Sequence, residues 1–571
     1  MHRCLKVTEL LDLIFSYLEP FPLTLKFLAS HLDDNFERRH TSDLIVLACT
    51  CTIFNGPALD IIWRTQTTLQ NLLRCMPHDL FTIVRNNNKR TMTLCRPIVA
   101  ADWDRALVYA QRVRNFGFCV NEAQVSLSAI FPALASSLPG DKIFPNLIHL
   151  QWSPEADSDF PYLRLFLAQT VTDLSISCMG SSSNASLFTA FALQCPKLTR
   201  VKVNLKYKIS PPSDTDASHT DASPILSEFT RHLEFVEDLG MSILDFSVIP
   251  HIARSRTLRS LQIAELHNPP PYSSPPLAVP LSFIRLDQLR LENVSVDAAS
   301  GVLRLSTDAP LQTLSIGLHE RLNIKATEVV YDTLGKCTRS QSSLTMLMLF
   351  HREVDSSGMH DGYMISSRAM QHLFSLGNLV RVLIHSPCGF DLDDALVARM
   401  ARAWPQVELL ELRESVAPAK QPITVDCLRS FAQYCPRLRN LHMTFNACFI
   451  SSNTTVAVVP QSSLSCLKVA HSRLSSRNAM HVAQFLVSIF PRLACVEAGV
   501  RYNEDDSDES AWERRQGGWD EVQYYVQEIQ LHAAENAESS GSDSDSDILG
   551  STSTVLPITR RIGDSQRLHI N

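Results

Sequence analysis

Apolar residues follow two different spacings along most of the chain. Helix-length stretches such as residues 479–490 place them three and four positions apart, which predicts an amphipathic helix. A proline then stops the helix, because it lacks the N–H that the next hydrogen bond requires. Apolar residues at every second position behind the proline predict a short strand. This order of helix, proline and strand is clearest around Pro196, Pro405, Pro436 and Pro491.

The helix-and-strand unit recurs with the pattern Leu-x-x-Leu-x-Leu, in which other apolar residues can replace leucine. Its mean spacing is about 29 residues, which is the period of leucine-rich repeats. One strand per unit, with all strands running the same way, predicts an α/β fold. We expect a curved leucine-rich-repeat solenoid over residues 113–500, with one parallel sheet and outer helices. The first anchor of each unit falls at Val113, Leu147, Val171, Leu198, Val236, Leu258, Leu286, Leu311, Leu344, Leu379, Val407, Leu438, Leu464 and Leu493.

The regions on either side of the repeats have a different composition. Residues 1–75 lack the repeat but hold enough apolar residues for three short helices, which predicts a separate module. Residues 76–112 predict a helical connector. Residues 501–571 are acidic and polar, which predicts a largely disordered tail with a capping helix at 519–534.

Two segments interrupt the repeats. Residues 210–224 and 267–276 are too rich in Pro, Ser and Asp to bury a face, and they predict loops that protrude from one rim.

Charge is distributed unevenly along the 571 residues. Residues 503–547 hold 14 acidic and two Arg or Lys side chains, and this excess is larger than the net charge of −7, so the remaining residues are net positive. The chain as a whole lacks the basic excess of a nucleic-acid binder, an apolar run of about 20 residues and a signal-like N-terminus. We therefore expect an intracellular protein, cytoplasmic and/or nuclear, that binds neither nucleic acid nor membrane.

Catalytic sequence frameworks are absent. The chain has no G-x-S-x-G, H-E-x-x-H or G-x-x-x-x-G-K-[ST] segment, and its 18 glycines are few for phosphate-cradling loops. The 15 cysteines of an intracellular protein predict buried packing residues, and Cys49 and Cys51 are spaced too closely for a zinc pair. We expect no enzymatic activity, no metal and no cofactor.

The N-terminal module resembles the F-box. That family begins with Leu-Pro, continues with Glu, two aliphatic residues, Ile-Phe and a Leu, and closes with a leucine-rich helix and Leu-Trp-Arg. This order is supplied by Leu5, Glu9, Leu10, Ile14, Phe15, Leu18, Leu44, Leu47, Leu59, Trp63 and Arg64, with Lys6 in place of the proline. Together with the repeats and the acidic tail, the module is similar to fungal F-box proteins with degenerate leucine-rich repeats.

The resemblance implies the substrate-recognition adaptor of an SCF-type cullin-RING ubiquitin ligase. In that family the F-box docks on the Skp-type adaptor of the cullin complex, and the repeats bind a protein substrate. The alternative is a leucine-rich-repeat interaction scaffold without ligase coupling, in which the same residues are only the core of a helical cap. The adaptor contacts that the resemblance implies are Leu5, Leu10, Ile14, Leu18, Leu47 and Trp63.

Two features of the module leave alternatives open. The insertion at 19–41 is longer than the family's link, and it is either a loop extension with a helix at 23–32 or a change that alters or removes adaptor binding. The apolar block at 43–64 behind it predicts two helices separated by a turn at Asn55–Pro57, with Ser42 or Asp43 capping the first.

Between the leucine anchors, alternate strand residues face the concave side of the predicted solenoid. One group of them is unusually apolar for a solvated face, and such a patch usually marks a contact, although an internal loop could also cover it. The predicted substrate-binding residues are Met346, Met348, Phe350, Leu383, Leu409 and Arg413.

Overall fold

The computed structural model contains one long parallel sheet with helices packed against one of its faces. The residues that it describes are 7–18, 34–86, 89–119, 125–154, 156–179, 182–206, 222–271, 282–319, 324–337, 339–351, 364–415, 421–450, 460–498 and 509–540. Leu5, the predicted helix at 23–32, most of the predicted loops at 210–224 and 267–276, and the tail beyond residue 540 lie outside them.

Fifteen of the described strands join in one sheet, each parallel to its neighbours and in chain order. Fourteen of these strands begin two residues after an anchor that the repeat pattern predicts, so the α/β class and the parallel sheet are confirmed. A further short strand, β1, pairs with the first of them. The strands of the sheet are β1 (Thr65–Gln66), β4 (Asn115–Cys119), β5 (His149–Ser153), β6 (Asp173–Met179), β7 (Arg200–Lys206), β8 (Asp238–Asp245), β9 (Ser260–His267), β10 (Gln288–Val294), β11 (Thr313–Leu318), β12 (Met346–His351), β13 (Arg381–Ser386), β14 (Leu409–Glu414), β15 (Asn440–His442), β16 (Cys466–Ala470) and β17 (Cys495–Ala498).

Helices alternate with the strands through most of the repeats. Those ahead of Pro196, Pro405, Pro436 and Pro491 each end two residues before the proline, as predicted. The described α-helices are α1 (Thr8–Ser16), α2 (Asp34–Thr50), α3 (Thr52–Arg64), α4 (Gln70–Leu73), α5 (Asp104–Ala110), α6 (Phe131–Ser137), α7 (Ser182–Gln194), α8 (Ala222–Arg231), α9 (Ile249–Ile252), α10 (Val296–Leu305), α11 (Ile324–Gly335), α12 (Ser340–Ser343), α13 (Ser367–His372), α14 (Asp394–Ala403), α15 (Leu428–Tyr434), α16 (Ala479–Ile489) and α17 (Glu509–Ser540). Short 3-10 helices occupy Ala100–Trp103, Asp157–Leu165, Phe246–Val248, Leu373–Ser375, Val425–Cys427 and Ser476–Asn478.

A continuous apolar core runs between the sheet and the helices, from Leu69 to Val526. The leucine anchors and the strand residues in phase with them are buried in it, as Leu438 and Leu441 illustrate. The strand residues between these positions point away from the helices, and we call the surface that they form the open face of the sheet.

Buried side chains at several helix exits contact the preceding repeat. Cys195 and Cys435 are buried there, as predicted, and their thiols donate to the carbonyl oxygens of Ala168 at 3.4 Å and Ala401 at 3.3 Å. In the repeat between β13 and β14 the same position holds Trp404. A cysteine therefore fills this position as a small apolar residue that can also satisfy a buried carbonyl.

The connector at 76–112 is not mainly helical, so that prediction is wrong. Residues 81–94 form an antiparallel hairpin of β2 (Phe81–Asn86) and β3 (Lys89–Leu94). These strands are rich in β-branched residues, which fit a pleated strand better than a helix. Helical structure is confined to Ala100–Ala110, where Arg96 anchors the segment by bonding to Asp102 at 2.8 Å.

The N-terminal module consists of α1, α2 and α3 around a small core of its own, made of Leu11, Phe15, Leu44, Ala48, Ala58 and Ile61. The helices α2 and α3 break at Cys51, whose backbone is extended, and the predicted turn at Asn55–Pro57 is wrong. Pro57 lies inside α3, where its burial against the other helices outweighs its missing hydrogen bond. The predicted start at Ser42 or Asp43 is also wrong, since α2 begins at Asp34.

The module is joined to the repeats through specific contacts. The ring of Trp63 stacks on that of Tyr109 in α5, with 4.8 Å between the centroids. Arg112 forms an ion pair with Asp60 and donates to the carbonyl of Gly56 at 3.3 Å. Because α3 leads directly into β1, the module is continuous with the edge of the sheet.

The helix α17 covers the other edge of the sheet, in the region where the capping helix was predicted. The Gln523 side chain accepts a hydrogen bond from the Val496 N–H and donates one to the Ala494 carbonyl at 3.1 Å. Its amide thus takes the place that a further strand would occupy beside β17. Trp519 is buried below it and donates to the Ser472 carbonyl at 3.1 Å.

Candidate protein-binding surface

The open face of the sheet has an apolar centre. Strand register places Met348 beside Leu383, and Met346 and Phe350 flank Met348 on the same strand. The two methionines and Leu383 are half-buried, and Phe350 is 38% exposed. The structure thus brings together four of the predicted substrate-binding residues, and we call Met346, Met348, Phe350 and Leu383 the central patch.

The other two predicted substrate-binding residues lie at the margin of this patch. Leu409 is separated from Met346 by Arg381, because the three residues occupy the same register position on successive strands. Arg413 is already paired within its own strand, where its Nε lies 2.7 Å from Glu411 Oε2. A partner of the central patch would therefore meet an arginine and an ion pair on one side.

The open face before the central patch carries a ladder of charges. On successive strands, His149 Nδ1 lies 3.1 Å from Asp173 Oδ2, and Arg200 Nε lies 2.8 Å from the same oxygen. Burial raises the pKa of Asp173, but the hydrogen bond from His149 and the charge of Arg200 together hold it below its usual value. These pairs join side chains on three neighbouring strands of the open face.

The open face behind the patch is polar and partly buried. His442 is 5% exposed and its Nδ1 has no hydrogen-bond partner, so burial, together with the nearby charges of Arg413 and Lys468, lowers its pKa to about 4. Lys468 Nζ lies 3.6 Å from Glu497 Oε2 on the next strand. The alternation of apolar and polar strand residues predicted that His442 lies on the open face. The ion pair of Lys468 and Glu497 was not predicted from the sequence.

A second candidate surface lies on the N-terminal module. One side of α1 packs inward through Leu11 and Phe15. Another side places apolar residues at helical spacing in solvent, among them Leu10, which is 41% exposed, and Ile14, which is 48% exposed. Helices α2 and α3 add further exposed apolar residues. We call the whole set the module patch, and it consists of Val7, Leu10, Leu13, Ile14, Tyr17, Ile45, Val46 and Ile53.

The structure divides the predicted adaptor contacts into two groups. Leu10 and Ile14 belong to the module patch. Leu18 and Leu47 are half-buried against the module core, and Trp63 packs on Tyr109 at the junction with the repeats. The remaining members of the module patch were not predicted, although the spacing of Val7, Leu10, Ile14 and Tyr17 on one helical face could have indicated them.

Two buried ionisable groups lie on the helix side of the sheet, away from both surfaces. Burial raises the pKa of Glu414 to about 7 and lowers that of His351 to about 4. The Tyr331 hydroxyl lies 3.3 Å from His351 Nε2. Both side chains are buried in the described part of the chain, so we interpret them as packing features.

Comparison with known proteins adds little to this description. No protein-family model matches the chain, and no curated protein matches it. Among the solved structures, the complex of Rad7 and Elc1 from yeast is similar over 87% of this chain and 91% of that chain, at 12% identity and a TM-score of 0.31. A likeness this weak supports no conclusion about fold, function or partners. None of the described helices combines the length and apolar character needed to cross a membrane.

Proposed function

We propose that this chain is the substrate-recognition subunit of an SCF-type cullin-RING ubiquitin ligase. In this role the module patch docks a Skp-type adaptor and the open face of the sheet binds a protein substrate. The chain itself is not an enzyme in this proposal, because the ubiquitin chemistry takes place on other subunits.

The observation that carries the proposal is the module patch. A module whose own core contains six buried residues exposes eight large apolar side chains on or next to its three helices. A surface helix with an apolar face on either side is typical of an element that a partner covers. We infer that a Skp-type adaptor covers the module patch. The residues Glu9, Leu10, Ile14 and Phe15 follow the F-box order, and the patch includes two of them.

The open face supports the second half of the proposal. The central patch is apolar and held on neighbouring strands, with Thr313 and Ser315 beside it on β11 and with Arg381 and the Glu411–Arg413 ion pair on its other side. An apolar anchor within a polar rim is the usual anatomy of a protein-binding surface. A short apolar segment of a substrate fits the central patch, and its polar neighbours fit the flanking rows.

Adaptor binding is tested with the full chain and purified Skp-type adaptor. The variant Leu10→Asp/Ile14→Asp places two charges in the module patch, and both side chains are exposed enough for the fold to tolerate them. We expect binding to weaken at least 100-fold, because buried unpaired carboxylates would replace apolar contacts at the interface. The matched control is Val108→Asp, since Val108 is 57% exposed on α5 outside the patch.

Isothermal titration calorimetry gives the affinities, and circular dichroism confirms that each variant keeps its helical signal. Micromolar or tighter binding by the natural chain and the Val108→Asp variant, lost only in the double variant, supports the proposal. A folded natural chain that does not bind the adaptor refutes it. The alternative of a repeat scaffold without ligase coupling would then replace it.

A further inference from the structure

Two cysteines lie side by side near the end of the sheet, on its open face. Cys466 and Cys495 occupy the same register position on the neighbouring strands β16 and β17. Their sulfur atoms and a carboxylate oxygen of Glu497 all lie within 4.8 Å of one another. The Cys495 thiol donates a hydrogen bond to Glu497 Oε1 at 3.1 Å, so these two groups already point at each other.

This arrangement matches the donor set of a thiophilic divalent cation. A tetrahedral Zn²⁺ holds sulfur at about 2.3 Å, which places two thiolates about 3.8 Å apart, and carboxylate oxygen at about 2.0–2.2 Å. In the structure the three donor atoms lie within 4.8 Å of one another, so each pair exceeds the separation in a tetrahedral site by about 1 Å at most. Thiolate ligands select Zn²⁺ over the hard cations Mg²⁺ and Ca²⁺.

The surroundings favour a charged metal complex at this place. Two thiolates and a carboxylate hold three negative charges, and a divalent cation with the ammonium of Lys468 neutralises them. Lys468 Nζ already lies 3.6 Å from Glu497 Oε2. The strand that carries two of the donors is fixed from outside by Gln523, which bonds to both Val496 and Ala494. A rigid backbone reduces the entropy that binding would cost.

We propose that Cys466, Cys495 and Glu497 form a binding site for a divalent thiophilic metal ion, with Zn²⁺ as the best match. Binding releases the two thiol protons to solvent and forms two metal–sulfur bonds and one metal–oxygen bond. A water molecule would complete the tetrahedral coordination. This site is independent of adaptor docking by the module patch.

Cobalt spectroscopy on the full, reduced chain tests this site, because Co²⁺ substitutes for Zn²⁺ and reports its sulfur ligands by absorption. We expect a thiolate-to-Co²⁺ charge-transfer band that saturates at one Co²⁺ per chain and disappears when Zn²⁺ is added. The double variant Cys466→Ser/Cys495→Ser should lose the band. The variant Glu497→Gln keeps both sulfurs, so it should keep the band but bind Co²⁺ at least tenfold more weakly.

Matched controls separate this site from the other thiols of the chain. The variants Cys448→Ser and Cys49→Ser/Cys51→Ser remove thiols that are half-buried or, for Cys49, exposed, and both should leave the titration unchanged. Circular dichroism and thermal melting show whether the Cys466→Ser/Cys495→Ser protein is still folded. Absence of a band in the folded natural chain, or a band that persists in that double variant, would overturn the proposal.

Discussion

At the scale of single residues, the leucine anchors make the strongest demands on the sequence. Leu438 is fully buried between the sheet and the helices. We expect Leu438→Asp to destabilise the protein by several kcal/mol, because an unpaired carboxylate cannot be buried there without a large desolvation cost. The neighbouring variant Arg439→Asp puts the same charge on an exposed residue and should change stability by less than about 1 kcal/mol. Urea denaturation of both variants measures the difference, and equal midpoints would contradict the assignment of Leu438 to the core.

Glu414 gives a second prediction at this scale. Burial raises its pKa from the usual 4.5 to about 7, so between these values the folded protein binds a proton that the unfolded chain has lost. Stability from this group is therefore complete below about pH 4.5 and falls as the pH rises through 7, by roughly 3 kcal/mol in all.

The variant Glu414→Gln cannot lose a proton, and it isolates this effect from that of the buried histidines, which titrate in both proteins. We expect its free energy of unfolding, relative to the natural chain, to increase by roughly 3 kcal/mol between pH 5 and pH 8. Parallel stability curves for the two proteins over this range would show that Glu414 is not buried as a neutral acid.

At the scale of elements, α17 is the piece that closes the sheet. Trp519 on this helix is buried, bonds to the Ser472 carbonyl and contacts the ring of Phe445 at a centroid distance of 5.9 Å. We expect Trp519→Ala to cost about 3–5 kcal/mol, the usual range for a buried tryptophan. Leu531→Ala on the same helix is the control, because Leu531 is 65% exposed and its loss should be nearly neutral. Thermal melting compares the two variants, and similar losses of stability would argue against α17 as a packed cap.

The repeat strands could be predicted from the sequence because the apolar anchors recur at the repeat spacing and each one marks a buried position. Every anchor from Val113 to Leu493 is followed by a strand in the sheet. The hairpin at 81–94 was missed because it lies outside the repeat, where the short apolar pattern does not decide between helix and strand. The wrong turn prediction at Pro57 has a different cause. Packing of α3 against its neighbours overrides the local preference of proline, and the sequence pattern does not show that packing.

At the scale of the whole molecule, the candidate sites depend on register between distant strands. The central patch could be predicted in part, because alternation gives the direction of Met348 and Leu383. Met346, Arg381 and Leu409 each follow an anchor by two residues, so the repeat period also indicates that Arg381 separates the other two. Cys466 and Cys495 each follow an anchor by two residues, so the repeat period predicts that they lie side by side on neighbouring strands. Only the structure shows that Glu497 joins them.

Deleting residues 539–571 should lower the melting temperature far less than deleting residues 516–571. Residues 539–571 are rich in Ser and Asp and begin well beyond Val526, the last buried core residue among those that the structure describes. Segments of this composition bury little apolar area, so we expect their deletion to leave the melting temperature unchanged within about 2 °C.

A longer deletion, 516–571, also removes Trp519, Val522 and Val526 and exposes the edge strand β17. It should lower the melting temperature by 10 °C or more, on the order of what several lost core side chains imply. Differential scanning calorimetry of the natural chain and both truncations measures these shifts. A large loss in the shorter deletion would mean that the acidic tail docks on the net positive remainder of the chain, and high salt should then lower the stability of the natural chain toward that of the truncated one.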